Sequence, residues 1–215
     1  MKATIAVTLA LGVLATASAL AQADKDKDVA GGGKPPAGWS VKPDKDAPVA
    51  NVKFVPMGSG YHVTLGPAAI LYNTATGTVG PKFHTVASFT QMKAPMHPEG
   101  YGIFFAGKDL DGANQSYIYF LIRGDGTYLV KKRTGAETSS LVDWTPNAAV
   151  NKAGDDGKAT NKIEVDAAGD KVNFIVNGKS VYSMDKAGND PSGVVGLRVN
   201  HNLDVHVEGF AAHKL

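Results

Sequence analysis

From about Val49 to the C-terminus, short runs rich in Val, Ile, Phe, Tyr and Thr recur at a spacing of roughly ten residues, separated by Gly, Asn, Asp and Pro. That rhythm leaves little room for anything but strands and tight turns. It predicts strands near 51–55, 60–65, 68–72, 82–92, 101–106, 116–123, 127–133, 160–166, 171–177, 179–184, 193–199 and 203–210. No window sustains a 3.6-residue apolar period with caps, so no helix longer than about two turns is expected. So many short strands exceed a simple immunoglobulin domain and fit an all-β, two-sheet antiparallel jelly-roll sandwich over 49–215.

The chain ahead of that rhythm reads differently. Lys2 supplies a positive start, Ile5 to Leu14 an apolar stretch, and Ala19-Leu20-Ala21 a small-x-small cleavage site, so 1–21 is expected to be a secretory signal peptide. Asp24-Lys25-Asp26-Lys27-Asp28 and Gly31-Gly32-Gly33-Lys34-Pro35-Pro36 then read as a charged, Gly/Pro-rich linker over 22–48, with Trp39 the first residue able to open packed structure. No later stretch has the apolar length of a membrane helix, so a secreted or periplasmic product with no stable membrane insertion after cleavage is expected. The absence of cysteine removes disulfides, thiolate metal sites and cysteine nucleophiles. A formal net charge of +2 argues against a nucleic-acid partner bound by phosphate neutralisation.

Three hairpins can be registered from their turns. Gly124-Asp125-Gly126 closes a three-residue loop that pairs Arg123 with Thr127, aligning Ile122 with Tyr128, Phe120 with Val130 and Ile118 with Lys132 on one face. The other face then carries Leu121 beside Leu129, Tyr119 beside Lys131 and Tyr117 beside Arg133. A slip of one residue would exchange the faces. On this register Phe120 is core, and truncating Tyr119 should cost much less than truncating Phe120. For 162–177, Val165 is expected opposite Val172 and Ile163 opposite Phe174, and Asn177-Gly178 should return the chain with Tyr182 beside Asn173. A loop centred on His201 is expected to pair Val199 with Leu203 and Leu197 with Val205, setting Arg198 opposite Asp204.

Tyr101-Gly102-Ile103-Phe104-Phe105, Ser116-Tyr117-Ile118-Tyr119-Phe120, Gly124-Asp125-Gly126-Thr127-Tyr128, Val142-Asp143-Trp144 and Val176-Asn177-Gly178-Lys179 follow one another in an order that resembles concanavalin A-like lectin/glucanase sandwiches. The resemblance is nearest to bacterial laminin-G-like and 3-keto-disaccharide hydrolase-type domains and covers about Gly60 to Phe210. The arginine that often follows the strand resembling Tyr101 to Phe105 is replaced by Ala106-Gly107-Lys108. Such a family hosts glycan binders, glycosidases and structural modules, so the fold alone does not choose among them.

The candidate residues each carry two readings. Tyr117, Tyr119, Lys131 and Arg133 form a patch in which aromatic faces could stack on sugars and cations could bind hydroxyls or carboxylates. The plainer reading is a half-exposed sheet face, where tyrosine is favoured for strand propensity. Glu164 and Asp166 project from one side of a strand at two-residue spacing and could divide acid and base or nucleophile roles, although none of Glu99, Glu137, Glu164 and Glu208 begins the E-x-D-x-x-E pattern of glycosidases in this class. They are equally solvated strand residues partnered by Lys162 and Lys171. Asp109 and Asp111, with Asp155-Asp156-Gly157, could hold a structural calcium or serve as ordinary turn residues; no other cofactor is implied. Of the six histidines, His62 and His84 are expected on neighbouring strands without a third ligand. The expectation is an exported module that binds glycans, another small polar ligand or a cell-envelope partner without catalysis, with a periplasmic hydrolase of 3-keto- or ordinary disaccharides as the alternative.

Overall fold

The computed structural model describes residues 25–215, and the expected signal peptide over 1–21 lies outside them. Fifteen strands form two antiparallel sheets among the described residues. The first sheet orders β1 (Ser40–Pro43), β4 (Ala69–Tyr72), β14 (Gly193–Val199), β7 (Tyr101–Lys108), β8 (Ser116–Ile122), β9 (Thr127–Thr134) and β10 (Glu137–Pro146), with the two-residue β5 (Thr78–Val79) beside β14. The second orders β13 (Lys179–Asp185), β12 (Lys171–Val176), β11 (Ala159–Asp166), β6 (Phe83–Gln91), β15 (Asp204–Lys214), β3 (Gly60–Leu65) and β2 (Val52–Met57). The one α-helical turn among the described residues, α1, spans Thr74–Gly77. No helix there is long and apolar enough to cross a membrane.

Alternation explains the core. Ile118, Phe120 and Ile122 of β8, Ile163 and Val165 of β11 and Val172, Phe174 and Val176 of β12 all face between the sheets and are buried. Phe120 meets Phe174 edge-on at a centroid distance of 5.2 Å, which joins the two sheets at the centre. The Gly124-Asp125-Gly126 register is as expected, with Phe120 opposite Val130, Tyr119 opposite Lys131 and Tyr117 opposite Arg133. Gly126, at φ 90°, supplies the left-handed position, and Asp125 accepts hydrogen bonds from the Thr127 amide and hydroxyl.

Other registers differ. Val165 lies opposite Phe174 and Ile163 opposite Val176, a shift of two residues from the expected pairing. A two-residue shift keeps every side chain on its face, so the apolar pattern is blind to it. It arises because Ala167 stays alongside β6, its amide bonded to the Phe83 carbonyl, and the chain turns later. Tyr182 faces Phe174 rather than Asn173, because Val181 is accommodated as a bulge between the Ile175–Ser180 and Phe174–Tyr182 pairs.

The expected hairpin about His201 does not form. β14 pairs with β4 and β7 in the first sheet, whereas β15 pairs with β3 and β6 in the second. The Asn200–Leu203 turn crosses between sheets, fixed by the left-handed Asn202 (φ 57°) and its amide bond to the Gly66 carbonyl. Arg198 and Asp204 are therefore on different sheets, and Asp204 pairs instead with His62 and Lys93. The sandwich also starts earlier than the expected 49. Ser40–Pro43, inside the segment read as linker, forms the edge strand β1 on β4. Trp39 anchors it by packing edge-on to Phe54 at 5.1 Å and donating to the Tyr61 hydroxyl. Further back, Asn202 accepts from the Lys27 amide and donates to the Lys25 carbonyl.

Candidate functional site

The outward face of the first sheet is built in rows. Lys42, Ile70, Arg198, Gly102, Leu121 and Leu129 stand side by side on β1, β4, β14, β7, β8 and β9. The next row carries Ser40, Tyr72, Gly196, Phe104, Tyr119, Lys131 and, on β10, Ser140. Gly196 is required there, since a Cβ would lie 2.5 Å from the Phe104 ring. Beyond them Tyr117 faces Arg133.

This face is not a half-exposed surface. Ile70, Tyr72, Phe104, Leu110, Tyr117, Tyr119, Leu121 and Leu129 form a second buried cluster, with Trp144 packed against it. Tyr117 is 2% and Tyr119 8% exposed, so neither ring is an open stacking platform. They belong to the packed layer of the sheet face rather than to a contact surface. Burial pushes both phenols up, which keeps them protonated. Lys131 and Arg133 are half-buried at the margin.

Into this apolar layer the fold sets a charged group. Arg198, 6% exposed, donates from both terminal nitrogens to Asp44, at 2.8 Å to Oδ1 and 2.6 Å to Oδ2. Arg133 donates to the same Oδ1 at 3.4 Å and to the Gly135 carbonyl at 3.0 Å. Burial alone would raise the Asp44 carboxyl, but the hydrogen bond and charge of Arg198, helped by Arg133, outweigh it and hold the group below the usual carboxylate range. Burial likewise opposes the charge on Arg198, and Asp44 more than restores it.

Asp44 enters from β1. The turn Asp44–Asp46 comes off the edge strand and divides the space over the sheet into two clefts. One, of about 470 Å³, lies between that turn and the loops carrying Asp111, Gly112 and Arg133. The other, of about 320 Å³, is bordered by Asp44, Arg198, Glu99, Asn200 and His201. In the second, His201 Nε2 lies 2.8 Å from Glu99 Oε1 and Nδ1 lies 3.1 Å from Asp26 Oδ1, while Asn200 donates to Glu99 Oε2 at 3.1 Å. Burial alone would lower the His201 imidazole, but the two carboxylates raise it above its ordinary value.

Of the expected patch, Tyr117, Tyr119, Lys131 and Arg133 are brought together. Asp44, Glu99, Arg198 and His201 were not singled out for this site, and no local motif marks them; they converge only through the crossing of β1 and the turn after β14. Glu164 and Asp166 lie on the outer face of the other sheet. Glu164 is held by His84 at 3.0 Å and Lys162 at 3.1 Å, and Asp166 accepts from the Ala168 amide as a turn residue. Neither borders the two clefts flanking Asp44. Asp109 accepts from the Asn114 amide and Asp111 from the Tyr72 hydroxyl, at 2.7 Å in the latter case. No group of three or more His, Asp or Glu able to hold a metal ion occurs among the described residues. His62 and His84 are separated by β15, and each instead faces a histidine of that strand, His206 and His213 respectively.

No family model and no curated protein sequence matches this chain. Solved structures do. Carbohydrate binding module CBM66 from Bacillus subtilis superposes with a TM-score of 0.59 at 12% identity, over 87% of this chain and 99% of that one. A Bacillus licheniformis β-glucanase gives 0.56 at 11% identity, over 85% and 94%. A Bacteroides ovatus glycoside hydrolase family 16 endo-glucanase, in complex with an oligosaccharide, gives 0.52 at 9%, over 82% and 84%. The fold is that of the concanavalin A-like jelly-roll sandwiches.

Proposed function

We propose that this chain is an exported, non-catalytic glycan-binding module whose site is the outward face of the first sheet, centred on Arg198 and Arg133. The observation that carries this reading is the buried guanidinium of Arg198, set beside the buried apolar cluster of the sheet face and bordering the cleft of about 320 Å³. A buried ion pair is weak support for stability, since apolar residues of similar volume often do as well. Arg198, Arg133 and Asn200, which border the clefts, and Lys131, on the same sheet face, offer donors to sugar hydroxyls. The sandwich architecture supports a glycan ligand, because structures of the same fold include a carbohydrate binding module and glucanases. The signal-like residues 1–21 support export.

Affinity electrophoresis of the mature chain through gels containing neutral and acidic polysaccharides tests the reading. Retardation by at least one of them, reduced in Lys131→Ala without a change in melting temperature, is the expected result. Free migration through all of them would reject it.

A further inference from the structure

The turn that carries Asp44 has the marks of a ligand built into the chain. Its carboxylate is gripped by a bidentate fork from Arg198 and a third donor from Arg133, the geometry with which arginine recognises a carboxylate in general. Two arginines face one carboxylate there, and Lys131 stands on the neighbouring row; Glu99, Asp26 and Asp111 border the same clefts but are engaged by His201, Asn200 and Tyr72. Arg198 Nε is buried and has no hydrogen-bond partner, a donor left over after Asp44 has been satisfied.

The turn itself is held in an unfavourable shape. Lys45 (φ 55°) and Asp46 (φ 53°) are consecutive non-glycine residues in the left-handed region. The side chain of Asp44 remains 24% exposed and borders the cleft that holds Arg198, whereas Arg198 itself is fixed in the sheet. Ser40–Pro43 forms an edge strand of four residues paired only with β4, and two backbone bonds hold the turn beyond it, from the Asp44 amide to the Ala68 carbonyl and from the Ala47 amide to the Asp44 carbonyl. Of the two partners in the ion pair, Asp44, on the strained turn between β1 and β2 and the more exposed of the two, is the one able to leave.

We propose that Asp44 is an internal competitor for a carboxylate-bearing sugar: the Arg198–Arg133 seat takes the carboxylate of an acidic polysaccharide, such as a polyuronate, and binding displaces the Asp44–Asp46 turn. This rests on the glycan-binding reading above and names its ligand class. Ligand and Asp44 present the same group to the same donors, so the two cannot occupy the seat together. Displacement would join the two clefts into one groove over Arg198 and Arg133 and relieve the backbone at Lys45 and Asp46.

The test uses polygalacturonate as the acidic probe and a neutral β-glucan as control, with wild type, Asp44→Asn, Asp44→Ala and Arg198→Gln compared by titration calorimetry. Removing the internal carboxylate should tighten polygalacturonate binding by roughly tenfold, leave β-glucan unaffected, and Arg198→Gln should abolish the acidic interaction. Asp44→Asn retains one acceptor for Arg198 and keeps the comparison open if the alanine variant does not fold. Amide exchange on the wild type needs no variant: at Asp44 and Ala47, whose amides are bonded to the Ala68 and Asp44 carbonyls, it should accelerate when polygalacturonate is added. Unchanged or weaker polygalacturonate binding in Asp44→Asn, or unchanged or slower exchange at Asp44 and Ala47, overturns the competitor role. If β-glucan is nevertheless bound, the glycan-binding reading stands without it; if neither polymer binds wild type or variants, both fall.

Discussion

Asp44 and Arg198 are 154 residues apart in sequence and joined by two hydrogen bonds, of 2.8 and 2.6 Å, that tie the terminal edge strand to the middle of the first sheet. The pair couples two otherwise separate parts of the chain. Arg198→Ala leaves a partly buried carboxylate with only Arg133 for company, and should cost about 3 kcal/mol, the lower end expected for a broken buried pair because Asp44 keeps some solvent. The same change made on Asp44→Ala should cost less than half as much. Urea denaturation of the four proteins gives the cycle, and strictly additive losses would show that the two side chains act independently.

Phe120→Ala empties a space between Phe174 and Tyr128 in the central core and should cost about 3–5 kcal/mol. From the register alone Tyr119→Ala is expected to cost much less. The structure revises this: Tyr119 is 8% exposed and packs on Tyr117 at 5.8 Å, so its truncation should cost about 3 kcal/mol as well. Denaturant midpoints compared at constant slope decide between the two, and a near-neutral Tyr119→Ala would contradict the buried second cluster.

His201 ties pH to stability in a definite direction. Its imidazole is raised above the ordinary 6.5 by Glu99 and Asp26 against an opposing effect of burial. The folded state therefore binds the proton more tightly than the unfolded one. The contribution is complete below pH 6.5 and is lost as pH rises through the higher folded value. The difference in unfolding free energy between wild type and His201→Gln should accordingly shrink from acid to mildly alkaline pH. A difference that grows over that range would mean the imidazole is held neutral in the fold.

Strand patterning made much of this legible. Period-two alternation located twelve of the fifteen strands among the described residues, and the Gly124-Asp125-Gly126 turn fixed the β8–β9 register to the residue. What it missed has physical reasons. β10 is an edge strand bonded on one side and exposed over most of its length, so Glu137 to Ser140 carry no apolar signal. β1 is four residues long and sits in a charged, proline-rich stretch, where only Trp39 hints at packing. A turn of a few residues after Val199 looks the same whether it returns within a sheet or crosses to the other, because both flanking strands bury the same alternate positions; Leu203 and Val205 face the core either way. The patch of Tyr117, Tyr119, Lys131 and Arg133 was recoverable since it depends on one hairpin. Asp44 and Arg198 depend on the whole topology, and no local spacing encodes their meeting.

The edge of the site supplies the last prediction. Trp144 on β10 lies under the Arg123 guanidinium, whose Cζ is 3.6 Å from the ring centroid. The far corner of that ring, Cη2, would be 2.7 Å from a Cβ at residue 100, and two atoms of the buried Leu121 side chain would be 3.1 and 3.2 Å away. Leu121 has no room to yield, whereas Trp144 belongs to an edge strand already bulged on both sides of Val142. Gly100→Ala should therefore push the indole outward and break its stack with Arg123, rather than deform the sheet. The chain has two tryptophans, so a Trp39→Phe background isolates the signal. In that background Gly100→Ala should red-shift the emission of Trp144 and lower stability by about 1–2 kcal/mol, the range of a modest overpacking. Arg123→Ala should produce a similar red shift through loss of the covering cation. Unchanged emission in Gly100→Ala with a larger loss of stability would mean that the Asn200–Gly100 backbone bond, 2.9 Å long, gives way before the indole does.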